Sequence, residues 1–432
     1  MRSRRKYTPE VHLNLNVRGL GPSATLAINE RCLALQRAGR EVYRLGLGQS
    51  PFPVPSPVVE ALRLHAGEKD YLPVRGLPEL REAVAGYLRR AQGIHRSAED
   101  VLVGPGSKEL MFLVQLVYYG DLVIPTPSWV TYAPQARIIG RQVRWLRTCA
   151  ANEWMLTPDE LEAVCGEDPG RPRLVILNYP DNPTGRTYDL AQLEGLAAVA
   201  RRYRVVLLSD EIYGELDYRG THVSIARLYP EGTIVSGGLS KWCGAGGWRL
   251  GTFVFPPSLR WLLDAMAAVA SETYTSTSAP IQYAAVTAYR GSPAIEAYLQ
   301  QVRRLLKSLG HWVAWQLRRA GVEVSVPQGG FYVFPDFGSH RQALGRRGVA
   351  GGEALCERLL EETGVAMLPG AVFGRPAEEL TARISFVDFD GARALEGMAH
   401  LDGGRVPGLD FLRQYCGRTL RALELLAGWL PG

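Results

Sequence analysis

The 432-residue sequence predicts an α/β fold: a large domain with a mostly parallel sheet flanked by helices, plus a smaller α+β domain. Three observations predict it. Short β-branched runs alternate with helical patterns through the middle of the chain. Polar residues suited to chemistry fall just after those runs end, where open α/β sheets bind ligands. From about Ala294 the pattern changes to long helices with short strands among them.

Taken in order, the strands are expected at Val101–Val103, Leu122–Ile124, Leu174–Leu177, Val205–Ser209, Thr233–Ser236 and Thr252–Phe255. Between two of them, Asp189 to Tyr203 places Leu190, Leu193, Leu196, Ala197 and Ala200 on one helical face. Asp189, with Gln192 three residues later, has the pattern of a capping box. Helices are then expected over Ala294–Ala320 and Gly352–Thr363, with strands at Phe331–Phe334 and Arg383–Phe386. The tail from Gly408 to Leu430 carries Leu409, Leu412, Cys416, Leu420, Leu423 and Leu426 at helical spacing and reads as a packing helix. These elements divide the chain into an N-terminal arm belonging to the small domain (1–50), a large domain (51–293), and a C-terminal small domain with an extra helical tail (294–432).

Composition narrows the function. A net charge of +6 over this length, without a dense basic helix or zinc-finger spacing, argues against nucleic-acid binding. The cluster Arg2, Arg4, Arg5 and Lys6 reads as a solvated terminus, because no apolar signal-peptide core follows it. No apolar run approaches the roughly 18 residues of a membrane span. Six cysteines without a C-x-x-C pair fit reduced thiols in a cytoplasmic enzyme, not a disulfide frame or a metal site.

Lys241 is the most telling residue. Only five of the 49 basic residues are lysines, and this one follows the run Thr233–Ser236 in a glycine-rich loop. An amine can form a Schiff base with an aldehyde and a guanidinium cannot. Arg249, eight residues on, could supply a fixed positive charge to a phosphate. Asp210, in Ser209-Asp210-Glu211-Ile212-Tyr213, could cap a neighbouring helix or hold a heterocyclic nitrogen protonated. Tyr213 follows at a spacing that could aim its hydroxyl into the same crevice. The turn Asn178-Tyr179-Pro180-Asp181-Asn182-Pro183-Thr184-Gly185 presents Asn182. Gly104-Pro105-Gly106-Ser107-Lys108 joins a strand to a helix, an arrangement that offers unpaired N–H groups to an anion. Trp129 could be core or could cover a flat ring.

Together these segments resemble the class I/II aminotransferases, the fold-type I pyridoxal-phosphate family that includes aspartate aminotransferase. The resemblance runs from about Leu20 to Phe389 and rests on five loops in the family's order. It implies that Lys241 carries pyridoxal 5'-phosphate as a Schiff base and that Asp210 holds the ring nitrogen. Asn182 and Tyr213 would then bond the ring oxygen, and Trp129 would stack on the ring. Gly106, Ser107, Lys108, Ser240 and Arg249 would surround the phosphate. Tyr71, in Tyr71-Leu72-Pro73-Val74-Arg75-Gly76, matches a tyrosine that reaches the phosphate from a second subunit, which implies a homodimer. Arg383 matches the arginine that clamps the substrate carboxylate, and Gly48 matches a glycine whose backbone approaches the substrate.

The resemblance is imperfect at Gly238, where such enzymes commonly carry a Ser or Thr with its hydroxyl on the phosphate. Looser cofactor retention is therefore expected. The implied reaction moves an amino group between an L-amino acid and a 2-oxo acid. β- or γ-elimination and decarboxylation on the same scaffold are the alternatives, with a pyridoxal-phosphate-sensing regulator a third. Pro22-Ser23-Ala24-Thr25 resembles the N-terminal loop of a prokaryotic aspartate and prephenate aminotransferase subgroup. Aspartate or glutamate is thus the first expectation, with aromatic substrates open.

Overall fold

A short strand, β1 (Tyr43–Arg44), comes first in the chain, and the next seven build one sheet. These are β2 (Val101–Gly104), β3 (Asp121–Thr126), β4 (Val143–Arg147), β5 (Arg173–Asn178), β6 (Val206–Asp210), β7 (Thr233–Gly238) and β8 (Gly251–Val254). They belong to a computed structural model that describes residues 12–401 and 404–430, so the basic cluster at Arg2, Arg4, Arg5 and Lys6 lies outside the described residues. The strands lie in the order β2-β8-β7-β6-β5-β3-β4. β8 runs antiparallel to β2 and β7, and the other neighbours pair in parallel. Every residue of β2, β6 and β8 is buried, as expected of strands covered on both faces.

All six expected strands are present, with ends displaced by no more than two residues. β4 was not expected. It is the sheet's edge, where Leu146 alone is buried and Arg144 and Arg147 interrupt any apolar run. Charge on an edge strand discourages pairing with another chain, and it also removes the sequence signal. The helix Leu190–Arg202 begins as expected. Asp189 accepts from the Gln192 backbone N–H at 2.8 Å, and the Gln192 side chain accepts from the Asp189 N–H at 3.0 Å. Leu190 and Leu409, expected on packing faces, are instead 53% and 41% exposed. Each is the first residue of its helix, at the end of the apolar stripe.

The remaining strands are β9 (Tyr332–Val333), β10 (Val365–Ala366), β11 (Leu368–Pro369) and β12 (Ala382–Ser385). β12 lies between β11 and β9, antiparallel to both. β1 pairs in parallel with β10, which ties the N-terminal stretch to a segment more than 300 residues later. The long helix Pro293–Arg319 packs against the tail helix Leu409–Trp429, which also touches Gly352–Thr363. The tail helix breaks its regular dihedrals at Cys416 and buries Leu412, Leu420, Leu423 and Leu426. At about 1.5–3 kcal/mol for each buried leucine, it is an integral part of the core. Trp429 fastens its end, donating to Glu362 at 2.7 Å under the Arg347 guanidinium. Among the described residues no helix is long and apolar enough to cross a membrane, and no cluster of side chains is arranged to hold a metal ion.

Candidate active site

Because β2, β3, β5, β6 and β7 all point the same way, the loops at their carboxyl ends emerge along one side of the sheet. A cavity of about 540 Å³ opens there. The sheet side contributes Ser107, Lys108, Trp129, Asn182, Asp210, Tyr213, Ser240, Lys241 and Arg249, while Gly48, Tyr332 and Arg383 come from the other side. Four cations and one carboxylate are among its lining residues, so it is built for anions.

Lys241 Nζ donates to the Gly48 carbonyl at 2.8 Å and stands 5.6 Å from the Tyr213 ring centre. Burial, then the positive charge of Arg383, push its pKa down to about 8, against the pull of Asp210. The neutral, nucleophilic amine is therefore accessible close to neutral pH.

Asp210 ends β6 and is buried. Tyr132 donates its hydroxyl to one carboxylate oxygen at 2.6 Å, and Ser236 donates to the other at 3.2 Å. Asn178 fixes the strand end by donating to the Asp210 backbone carbonyl at 2.8 Å. Burial raises the carboxyl pKa to about 6 despite these donors. All its hydrogen-bonding partners are neutral, so the carboxylate has no cationic partner of its own.

Arg383, in β12, is 1% exposed. It donates to the Gly46 carbonyl at 2.5 Å and to Asn182 Oδ1 at 3.0 Å, and its Nε has no hydrogen-bond partner. Tyr332 and Phe373 lie 4.7 and 5.0 Å from the guanidinium carbon. A buried guanidinium with an unused N–H is suited to a carboxylate.

The remaining cations gather at the start of the helix Ser107–Val117. Gly106 has φ +88°, and a Cβ there would lie 2.2 Å from an Arg249 nitrogen, so glycine is what admits the guanidinium. Arg249 donates to Gly246 at 2.9 Å and lies near Pro105. Lys108 stands 5.3 Å from the Trp129 ring centre, its pKa lowered by burial and by Arg249. Helix N-terminus, guanidinium and ammonium together make a cradle whose charge and N–H groups suit an anion such as a phosphate.

Of the residues expected from sequence, all line this cavity except Gly106, which lies beneath Arg249, and Tyr71, which is 90% exposed. Tyr132, Asn178 and Tyr332 were not expected. Tyr132 lies three residues beyond Trp129 and Asn178 opens the Asn182 turn, so proximity was an available signal. Tyr332 had none. Its hydroxyl meets that of Tyr213 at 2.8 Å, although the residues are 119 apart in the chain.

The departure at Gly238 has a steric cause. Gly238 pairs with Gly251, and a Cβ on Gly238 would lie 2.8 Å from the Leu250 carbonyl oxygen. A Cβ on Gly251 would in turn lie 2.0 Å from the Ser107 nitrogen. Backbone packs on backbone from β7 to the phosphate cradle, which leaves no room for a serine. Gly238→Ser is expected to lower apoprotein stability by about 1–3 kcal/mol without tightening the cofactor. Denaturant unfolding and cofactor titration check both halves, and tighter binding at unchanged stability would refute this.

A family model described as aminotransferase class I and II matches residues 40–393. Aspartate aminotransferase of Geobacillus stearothermophilus is 34% identical over 370 residues, covering 83% of this chain and 91% of that protein. Aspartate/prephenate aminotransferase of Thermus thermophilus is 32% identical over 366 residues, covering 84% and 91%. The solved structure of the Thermus thermophilus aspartate aminotransferase with maleate superposes with a TM-score of 0.81 at 30% identity, covering 97% of this chain and 100% of that one.

Proposed function

The chain belongs to the class I and II aminotransferases and is a pyridoxal-phosphate-dependent transaminase, and we propose that it takes its amino group from a dicarboxylic L-amino acid, aspartate or glutamate, and passes it to a 2-oxo acid. The observation that carries the reading is one cavity holding both a half-buried amine, its pKa pushed down to about 8, and a buried guanidinium whose Nε has no hydrogen-bond partner.

The residues fit the cofactor. Asp210 lacks a cationic partner, the cradle at Gly106 and Arg249 suits a phosphate, and Trp129 offers a flat face. When bound, pyridoxal phosphate supplies an aldehyde for the amine and a ring that draws in the electron pair released at the amino acid's α-carbon. Asp210 keeps the proton on the ring nitrogen. Asn182 and Tyr213 would hydrogen-bond the ring oxygen, while Ser107, Lys108, Ser240 and Arg249 would hold the phosphate. Arg383 takes the substrate α-carboxylate, with Asn182 and the Gly48 backbone beside it. Lys241 Nζ is the base that removes the α-proton and the acid that returns it.

The dicarboxylic preference draws on the loop Pro22-Ser23-Ala24-Thr25, whose Thr25 borders the cavity. The Geobacillus and Thermus relatives named for aspartate point the same way. The test adds single amino acids to the loaded enzyme and follows loss of its visible absorbance together with the oxo acid formed. Aspartate or glutamate should react at the lowest concentration. Preference for an uncharged amino acid would overturn the substrate class, and release of ammonia with pyruvate would overturn the half-reaction.

The same reading takes the molecule as a homodimer, with the exposed Tyr71 reaching the phosphate of its partner's site. A monomeric mass in sedimentation would reject this. It divides the chain at residues 50 and 293 as the sequence suggests. Its six unbridged cysteines, five of them buried, fit the cytoplasm.

A further inference from the structure

We infer that Tyr332 is a positioning residue that couples the carboxylate clamp of Arg383 to the hydroxyl of Tyr213. The inference rests on the site reading above. Tyr332 ends the β9–β12 pairing opposite Ser385, two residues from Arg383, and is fully buried. Its ring lies under the Arg383 guanidinium at 4.7 Å, a cation–π contact that holds the clamp from one face. Its hydroxyl lies 2.8 Å from that of Tyr213 and 3.5 Å from the Gly48 carbonyl.

Each phenol has one proton, and either oxygen of the pair can be the donor. At 3.5 Å the Gly48 carbonyl is a poor acceptor for Tyr332, whereas the Tyr213 oxygen lies at 2.8 Å. The coupling has Tyr332 donate to the Tyr213 oxygen, one of the two directions open to the pair. The Tyr213 proton is then left to point into the cavity, where it would donate to the ring oxygen of the cofactor. A phenol that accepts one hydrogen bond is a stronger donor of the next. Burial keeps both groups protonated by raising their pKa values.

Gly48 is part of the arrangement. A Cβ there would lie 1.9 Å from the Tyr332 oxygen, so only glycine lets the hydroxyl reach Tyr213 while its own carbonyl receives Lys241. Clamp, ring-oxygen donor and catalytic amine thus meet around one tyrosine. A substrate carboxylate that draws on Arg383 also acts on the ring beneath it.

Two variants separate the ring from the hydroxyl. Tyr332→Phe keeps the ring, and Tyr332→Leu removes both. The visible absorbance of the loaded enzyme has a pH midpoint that reports how well negative charge on the ring oxygen is stabilised. Tyr332→Phe should raise that midpoint by about half a unit, as expected for a weakened hydrogen bond. It should also lower kcat while leaving succinate inhibition and KM within about twofold of wild type. Tyr332→Leu should show the same midpoint shift and in addition weaken succinate at least about fivefold through loss of the cation–π contact. Apoprotein melting temperatures identify any variant that fails to fold, and the midpoint is then read on Tyr332→Phe alone. An unmoved midpoint in Tyr332→Phe, or succinate inhibition equally weakened in both variants, overturns the coupling. Visible absorbance that survives in Lys241→Ala overturns the site reading and the coupling together.

Discussion

Lys241→Ala should remove the visible absorbance of the loaded enzyme and reduce transamination by at least about 10⁴-fold, since one side chain supplies both the covalent attachment and the acid–base step. Its carbonyl partner at Gly48 remains in place, and no other lysine lines the cavity except Lys108. Lys108 cannot substitute, because it sits against Trp129 in the phosphate cradle. The apo variant should fold normally. Burial depresses the Lys241 pKa, so the native state bears the cost of a buried ammonium at every pH below about 8, and alanine removes that cost. Absorbance spectra, steady-state rates and melting of the apoprotein together decide the matter. Near wild-type turnover would end the assignment of Lys241.

Asp210→Asn should separate activity from stability in opposite directions. The amide keeps the shape but not the charge that holds the ring nitrogen protonated, and kcat should fall about 10²–10³-fold or more. Stability of the apoprotein should move the other way. The native carboxyl stays protonated up to about pH 6, whereas the unfolded one loses its proton near 3.8. Between those values the native state binds the extra proton, so wild-type stability falls as pH rises through the window. Asparagine has no such loss. Its apoprotein should be up to about 3 kcal/mol more stable than wild type at pH 7, and the two curves should converge below pH 4. Chemical unfolding at pH 4, 5, 6 and 7 measures this. An apo variant no more stable than wild type at pH 7 would show that Tyr132 and Ser236 already compensate the buried charge.

The positions of the chemistry were legible because they are local. Asp210 ends a strand, Lys241, Asn182, Trp129 and Ser107 each follow one within a few residues, and parallel strands carry their carboxyl ends to one side whatever the detailed packing. The tail helix was legible from its leucine spacing. β4 was not, since an edge strand with two arginines lacks the apolar run that marks buried strands. Gly238 could be noticed but not explained. Its cause is the approach of Leu250 and Gly251 across the sheet, which no spacing reveals.

The amino-acid sequence alone determined the fold class, the cofactor chemistry and the family, for these depend on short motifs whose geometry each strand–loop unit sets for itself. Tertiary structure decided how the site is tuned. Tyr332 reaches Tyr213 from 119 residues away, Gly48 offers its carbonyl to Lys241 from 193 residues away, and Arg383 meets Asn182 across 201. The lowered pKa of Lys241 and the raised pKa of Asp210 arise in the same way. Desolvation and Coulomb interaction depend on distance through space, and only the folded chain sets those distances.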